Sequence, residues 1–117
     1  MAKHNDSGKY GEDLAVEWLT NLGYRILERN WHFSHKEIDI ICTDEKYIII
    51  VEVKYRNSVC ERPYELLDNK KKKNLLQAGA AYLHFSGLNK ELRFDLILIN
   101  GKTEGVIHIP EAILVID

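Results

Sequence analysis

Cysteine is scarce in this 117-residue chain: only Cys42 and Cys60 occur. Two thiols without metal-type spacing make neither a disulfide framework nor a zinc cluster. Long apolar runs are missing too. None approaches the roughly 20 residues that a membrane-spanning helix needs, and the polar start MAKHNDSG lacks the apolar segment of a secretion signal. A cytoplasmic protein without a membrane partner is the expectation. A basic excess is also absent, with 16 Lys and Arg against 18 Asp and Glu for a net charge of −2. No overall positive field advertises a nucleic-acid partner, so any such contact has to rest on a local patch. There are no repeats and no Pro/Gly/Ser-rich linker, and the length suffices for one core only. Residues 1–117 therefore read as a single domain.

What is present reads as alternating helices and strands. Gly11, Ala15, Trp18 and Leu22 recur at helical spacing behind a cap at Asp6 or Ser7, and Gly23 supplies a stop, which predicts a helix over 8–22. YRILERNWHF (24–33) reads as a strand. Residues 36–43 and 47–55 form two more, turned at Asp44-Glu45-Lys46. Around 57–65 the chain is irregular, with Pro63 as a breaker. Asp68 caps a second helix over 68–86, whose apolar stripe is Leu75, Leu76, Gly79, Tyr82 and Leu83, and Gly87 ends it. LRFDLILIN (92–100) and GVIHI (105–109) form a closing hairpin, followed by an apolar AILVID. The order α-β-β-β-α-β-β predicts a mixed sheet with a helix against each side, an α/β sandwich.

Charges sit inside two of the apolar strands, at Asp39 and at Glu52 and Lys54. YIIIV is apolar on both faces, as a doubly covered central strand is, and polarity enters only at Glu52-Val53-Lys54. Alternation puts Glu52 and Lys54 on one face. A turn centred between Glu45 and Lys46 sets Ile41 opposite Ile50 and Asp39 opposite Glu52. Like charges so opposed destabilise a sheet, and a divalent cation resolves the conflict, since Mg²⁺ is held by one or two carboxylates plus water and phosphate oxygens. The plainer reading is an ion-pair network, because the same register sets Glu37 opposite Lys54. Glu12 lies beside Gly11 at the edge of the first helix's buried stripe and adds a third acid. Taken alone it reads as a first-turn glutamate favoured by the helix dipole.

E-I-D followed, with thirteen positions from Asp39 to Glu52, by E-V-K resembles the core of the PD-(D/E)XK nuclease superfamily. The surrounding chain resembles the YraN family of small bacterial proteins related to Holliday-junction resolvases. The likeness rests on G-E-D-L-A at 11–15, L-G-Y at 22–24, R-N-W at 29–31, E-I-D-I-I at 37–41, V-E-V-K-Y-R at 51–56, R-F-D at 93–95 and H-I-P-E-A at 108–112. It implies a restriction-endonuclease-like fold and a Mg²⁺ (or Mn²⁺) site at Asp39 and Glu52, with the Val53 carbonyl completing the shell. It also implies Lys54 as catalytic lysine, Glu12 as a helix-borne acid, DNA (including branched DNA) as substrate, and a homodimer. Lys36, where the family usually has Gly, and His32, where Arg commonly stands, depart from the pattern without removing a catalytic group.

Lys70, Lys71, Lys72 and Lys73 open the second helix, where the positive helix end disfavours them. That cost points to backbone phosphates, with Arg56 and Arg29 extending the patch; a merely solvated helix face is the alternative. This patch and the carboxylate site are read as separate. His32 and His35 have metal-like spacing but no second pair follows. Trp31 and Phe33 read as core more readily than as stacking platforms, and Arg93 with Asp95 as a structural ion pair. The reading is a Mg²⁺-dependent nuclease built on Glu12, Asp39, Glu52 and Lys54. Its rivals are a nucleic-acid-binding module of the same fold without turnover, and an interaction protein whose charges are purely structural.

Overall fold

The computed structural model describes residues 3–57 and 62–114. Helix α1 spans Lys3–Asn21, strand β1 Arg25–Phe33, β2 Lys36–Thr43, β3 Tyr47–Arg56, helix α2 Asn69–Ser86, β4 Glu91–Asn100 and β5 Val106–Ile113. A short 3-10 turn, Pro63–Leu66, precedes α2. The α-β-β-β-α-β-β order is that predicted. The five strands lie side by side in chain order, antiparallel except for the parallel β3–β4 pair that α2 connects.

Alternation along β3 divides the core in two. Ile48 and Ile50 pack with Leu75, Ala78 and Tyr82 of α2, whereas Ile49 and Val51 pack with Ala15 and Leu19 of α1. Each helix covers one face, so the central strand is apolar on both. Close approach is built in on each side. A Cβ at Gly11 would meet Tyr55 Cδ2 at 2.7 Å, and one at Gly79 would meet the Phe94 ring at 2.9 Å.

Three sequence expectations shift. Helix α1 starts at Lys3 rather than at residue 8, so Asp6 and Ser7 lie inside it, and its buried stripe is Gly11, Ala15 and Leu19. Trp18 and Leu22 are exposed instead. For α2, Asp68 is the N-cap, its Oδ1 accepting from Lys71 N–H at 2.8 Å, and Gly87 closes the helix at φ 68°. Strand β5 runs past Pro110 to Ile113, longer than the predicted 105–109, by means of a bulge opposite Asp95 with Glu111 at φ 54°. Pro on an edge strand at a bulge removes no ladder bond. Cys60 and residues 115–117 of the apolar tail lie outside the described residues.

The bulge is held by a buried acid. Asp95 Oδ1 accepts from Glu111 N–H (3.2 Å) and Arg93 Nε (2.9 Å), and Oδ2 accepts from Arg93 (2.8 Å) and meets His108 Nε2 (2.8 Å). Trp18 Nε1 donates to His108 Nδ1 at 3.1 Å. An indole nitrogen is donor only, so Nδ1 is bare and Nε2 carries the proton to Asp95. The Arg93–Asp95 ion pair read from the sequence is present, and it sits inside a network tying α1, β4 and β5 together.

Candidate functional site

The β2–β3 ladder follows the predicted register, Ile41 opposite Ile50 and Ile40 opposite Val51, and ends there. Beyond it the expected pairing changes. Ile38 packs on the α2 side and Ile40 on the α1 side, although strict alternation would put both on one face. In β1, likewise, Trp31 joins the α2-side core while Arg29 reaches α1, on either side of Asn30 at φ 52°. The hairpin therefore twists at Asp39 and β2 leaves β3. The Val53 N–H then donates to the side chain, Asp39 Oδ2, at 2.8 Å. A strand residue's N–H and C=O point to the same edge, so the Val53 carbonyl faces the same wedge. Glu37 does not face Lys54 as the register predicted. It pairs across β1 with His32 at 3.0 Å.

Glu52 shares the α2 face with Ile48 and Ile50 and is only 4% exposed. Its Oε2 lies 3.4 Å from Lys54 Nζ and 3.2 Å from Lys71 Nζ. Its Oε1 is buried and has no hydrogen-bond partner among the described residues. Asp39 lies close enough to Glu52 for the charge of one to act on the other. Burial, and then the charge of Glu52, push the Asp39 carboxyl up to about 8 against the opposing pull of the Val53 amide. An unsatisfied buried carboxylate oxygen beside a second carboxylate is a strong demand for a cation. Two carboxylates with a carbonyl nearby suit a hard, oxygen-seeking ion such as Mg²⁺ or Mn²⁺. Among the described residues no three His, Cys, Asp or Glu side chains converge, and His32 is engaged with Glu37, which leaves no zinc-type cluster there.

A cleft of about 1060 Å³ opens over this wedge, lined by Glu12, Arg29, Asp39, Val53, Lys54 and Arg56 among others. Gly11 lets α1 settle against Tyr55, which brings Glu12 to the cleft wall. There Glu12 Oε1 accepts from Arg29 Nε and Asn30 Nδ2, both at 3.0 Å, while Arg29 also holds Asp13 at 2.6 Å. The Arg29 guanidinium, read as a phosphate contact, is thus occupied with Glu12 and Asp13 of α1. Arg56 is exposed at the mouth. Lys70 and Lys73 are exposed on α2 and Lys72 is half-buried, outside the cleft lining, whereas Lys71 joins Glu52. The lysine run and the carboxylate site, read as separate, share this residue. Lys36 places its Nζ 5.9 Å from the Phe33 ring centroid. Trp31 packs on Tyr82 and Phe85, and Phe33 is exposed beside it.

Sequence reasoning missed Asn30 as a donor to Glu12. Its signal was an Asn beside the kink, a residue type that tolerates positive φ. It also missed the Trp18–His108 link, for which a separation of 90 positions leaves no local signal.

Residues 11–99 match the model of a family described as "Uncharacterised protein family UPF0102". The chain belongs to that family. Among its relatives, a UPF0102 protein of Flavobacterium psychrophilum is 46% identical over 85% of this chain and 84% of its own. One from Persephonella marina is 43% identical over 90% of each. One from Bacteroides thetaiotaomicron is 40% identical over 96% of this chain and 95% of its own. The family name carries no activity.

Proposed function

We propose that this UPF0102 protein is a Mg²⁺- or Mn²⁺-dependent nuclease hydrolysing phosphodiester bonds in DNA, branched DNA included. The single observation that carries the proposal is the Asp39–Glu52 pair: Asp39 lines an open cleft, and behind it the buried Glu52 Oε1 lacks any partner among the described residues. Asp39, Glu52 and the Val53 carbonyl would hold the cation. When bound, it supplies Lewis-acid charge to the phosphate and acidifies a water molecule. The chain's own groups do the rest. Lys54, next to Glu52 and lining the cleft, orients the attacking water or neutralises the charge that grows on the phosphate. Glu12, aligned by Arg29 and Asn30, lines the same cleft. Arg56 at the mouth meets the backbone of the strand. The element order and the E-I-D/E-V-K likeness support a restriction-endonuclease-like ancestry. Cytoplasmic action on DNA, by a homodimer where two patches are needed, follows from the same reading.

One observation favours a second reading. Glu12 is bound to Arg29 and Asn30 rather than to the carboxylate pair, which leaves two acids at the site. A nucleic-acid-binding module of this fold that turns over weakly or not at all fits that arrangement. A cleavage screen over linear, single-stranded and branched DNA with Mg²⁺ and Mn²⁺ separates the two. Cleavage lost in Lys54→Ala establishes the nuclease; binding without cleavage on every substrate establishes the module.

A further inference from the structure

Lys71 stands apart from the lysines around it. Lys70 and Lys73 point to solvent, but Lys71 leans onto the sheet, with its backbone fixed by the Asp68 cap and its Nζ 3.2 Å from Glu52 Oε2. Lys54 Nζ lies 3.4 Å from the same oxygen. Two ammonium groups therefore crowd one carboxylate oxygen, while among the described residues Glu52 Oε1 has no partner and Asp39 accepts from the Val53 amide alone. A dication added to this cluster would bring a large positive excess into a poorly solvated space, where like charges repel strongly. One lysine has to leave. The side chain of Lys71 is 36% exposed against 24% for Lys54, so Lys71 returns to water more readily. It also escapes the unfavourable positive end of α2 only while Glu52 balances it.

We propose that Lys71 is an exchangeable counter-ion of the carboxylate pair: a divalent cation bound at Asp39 and Glu52 displaces it, and the freed ammonium at the head of α2 becomes available to a phosphate. This rests on the cation site proposed above. Cation and phosphate binding are then positively coupled, and the coupling is reciprocal. Lys71 connects the two sites. The other lysines of the run supply only screened surface charge.

The test combines lysine labelling with calorimetry on the full chain. An amine-reactive reagent, read by mass spectrometry with and without Mn²⁺, should label Lys71 several-fold faster when Mn²⁺ is present and Lys70 at an unchanged rate. By calorimetry, Lys71→Met should bind Mn²⁺ about tenfold tighter than wild type, the scale of one charge-assisted contact. Lys70→Met, the same charge change one residue away, should stay within about twofold. Unchanged Lys71 labelling in a protein that calorimetry shows to be Mn²⁺-bound overturns the exchange and leaves the cation site standing. So do equal shifts for the two variants. Absence of Mn²⁺ binding in wild type and Lys71→Met alike overturns the cation site, and the exchange with it.

Discussion

The Val53 amide donates to Asp39 Oδ2 across 2.8 Å, at the point where β2 turns away from β3. A backbone donor that continued pairing would have satisfied instead fixes a carboxylate and holds it against Glu52 in spite of their like charge. Burial and the charge of Glu52 favour a proton on Asp39 in this setting, which relieves the repulsion.

That proton makes the site pH-dependent. Asp39 keeps it up to about 8 when folded, against an ordinary value of 3.8. Between those values the folded state binds more protons than the unfolded one, so cation-free stability falls as pH rises through the window. Asp39→Asn should flatten that slope and be at least as stable as wild type above it, as thermal melts in EDTA will show. Cation binding expels the proton, so Mn²⁺ affinity should rise about tenfold per pH unit below 8 and level off above it. Calorimetry in buffers of different ionisation enthalpy reads the released proton directly.

The two lysines on Glu52 back each other up. Lys54→Ala leaves Lys71 in place and should lower stability by about 1 kcal/mol in EDTA, since Lys54 is partly solvated. Lys54→Ala with Lys71→Ala strands a buried carboxylate and should cost about 3–5 kcal/mol, more than the sum of the single changes. Urea unfolding of the three variants checks this. In Mg²⁺, Lys54→Ala alone should abolish cleavage despite its small effect on stability.

Asp95 is structural. Burial works against its charge, but His108 and Arg93 more than offset this and hold its carboxyl below the usual range. A lowered folded value means that the contribution is complete above about pH 4 and is lost as pH falls through the folded value. Asp95→Ala should destabilise by about 3–5 kcal/mol, leaving Arg93 unpaired. Acid titration followed by circular dichroism should show the wild type's resistance disappear. Cation affinity of the folded fraction should not change.

Gly79 decides how closely α2 sits. Alanine is the better helix former, yet its Cβ would press the Phe94 ring and Ile50 at 2.9 and 3.1 Å. Gly79→Ala should therefore destabilise by about 1–3 kcal/mol, measured by denaturant unfolding.

Much of this was legible in the chain. The central strand showed itself by being apolar on both faces, and the short turn at Asp44–Lys46 fixed the β2–β3 register as far as Ile40. Asp68 and Gly87 marked the ends of α2 by cap chemistry. The reading failed where strands stop being regular. Alternation carried past Ile40 put Glu37 opposite Lys54, because nothing local announces the twist at Asp39. Lys71 read as one of four equivalent lysines, because its contact with Glu52 crosses from helix to sheet. Trp18 read as core, because its partner His108 comes from the far end of the chain. Local propensity is written in neighbouring residues; a charge's partner is settled by the packing of elements that the sequence separates.

The central claim is that Asp39 and Glu52 form a divalent-cation site, and anomalous diffraction from crystals grown with Mn²⁺ tests it most directly. The account predicts one Mn²⁺ peak bonded to both carboxylates and facing the Val53 carbonyl, absent from crystals of Asp39→Asn. Crystals at millimolar Mn²⁺ with no peak there, and with Glu52 still held by Lys54 and Lys71, would contradict it.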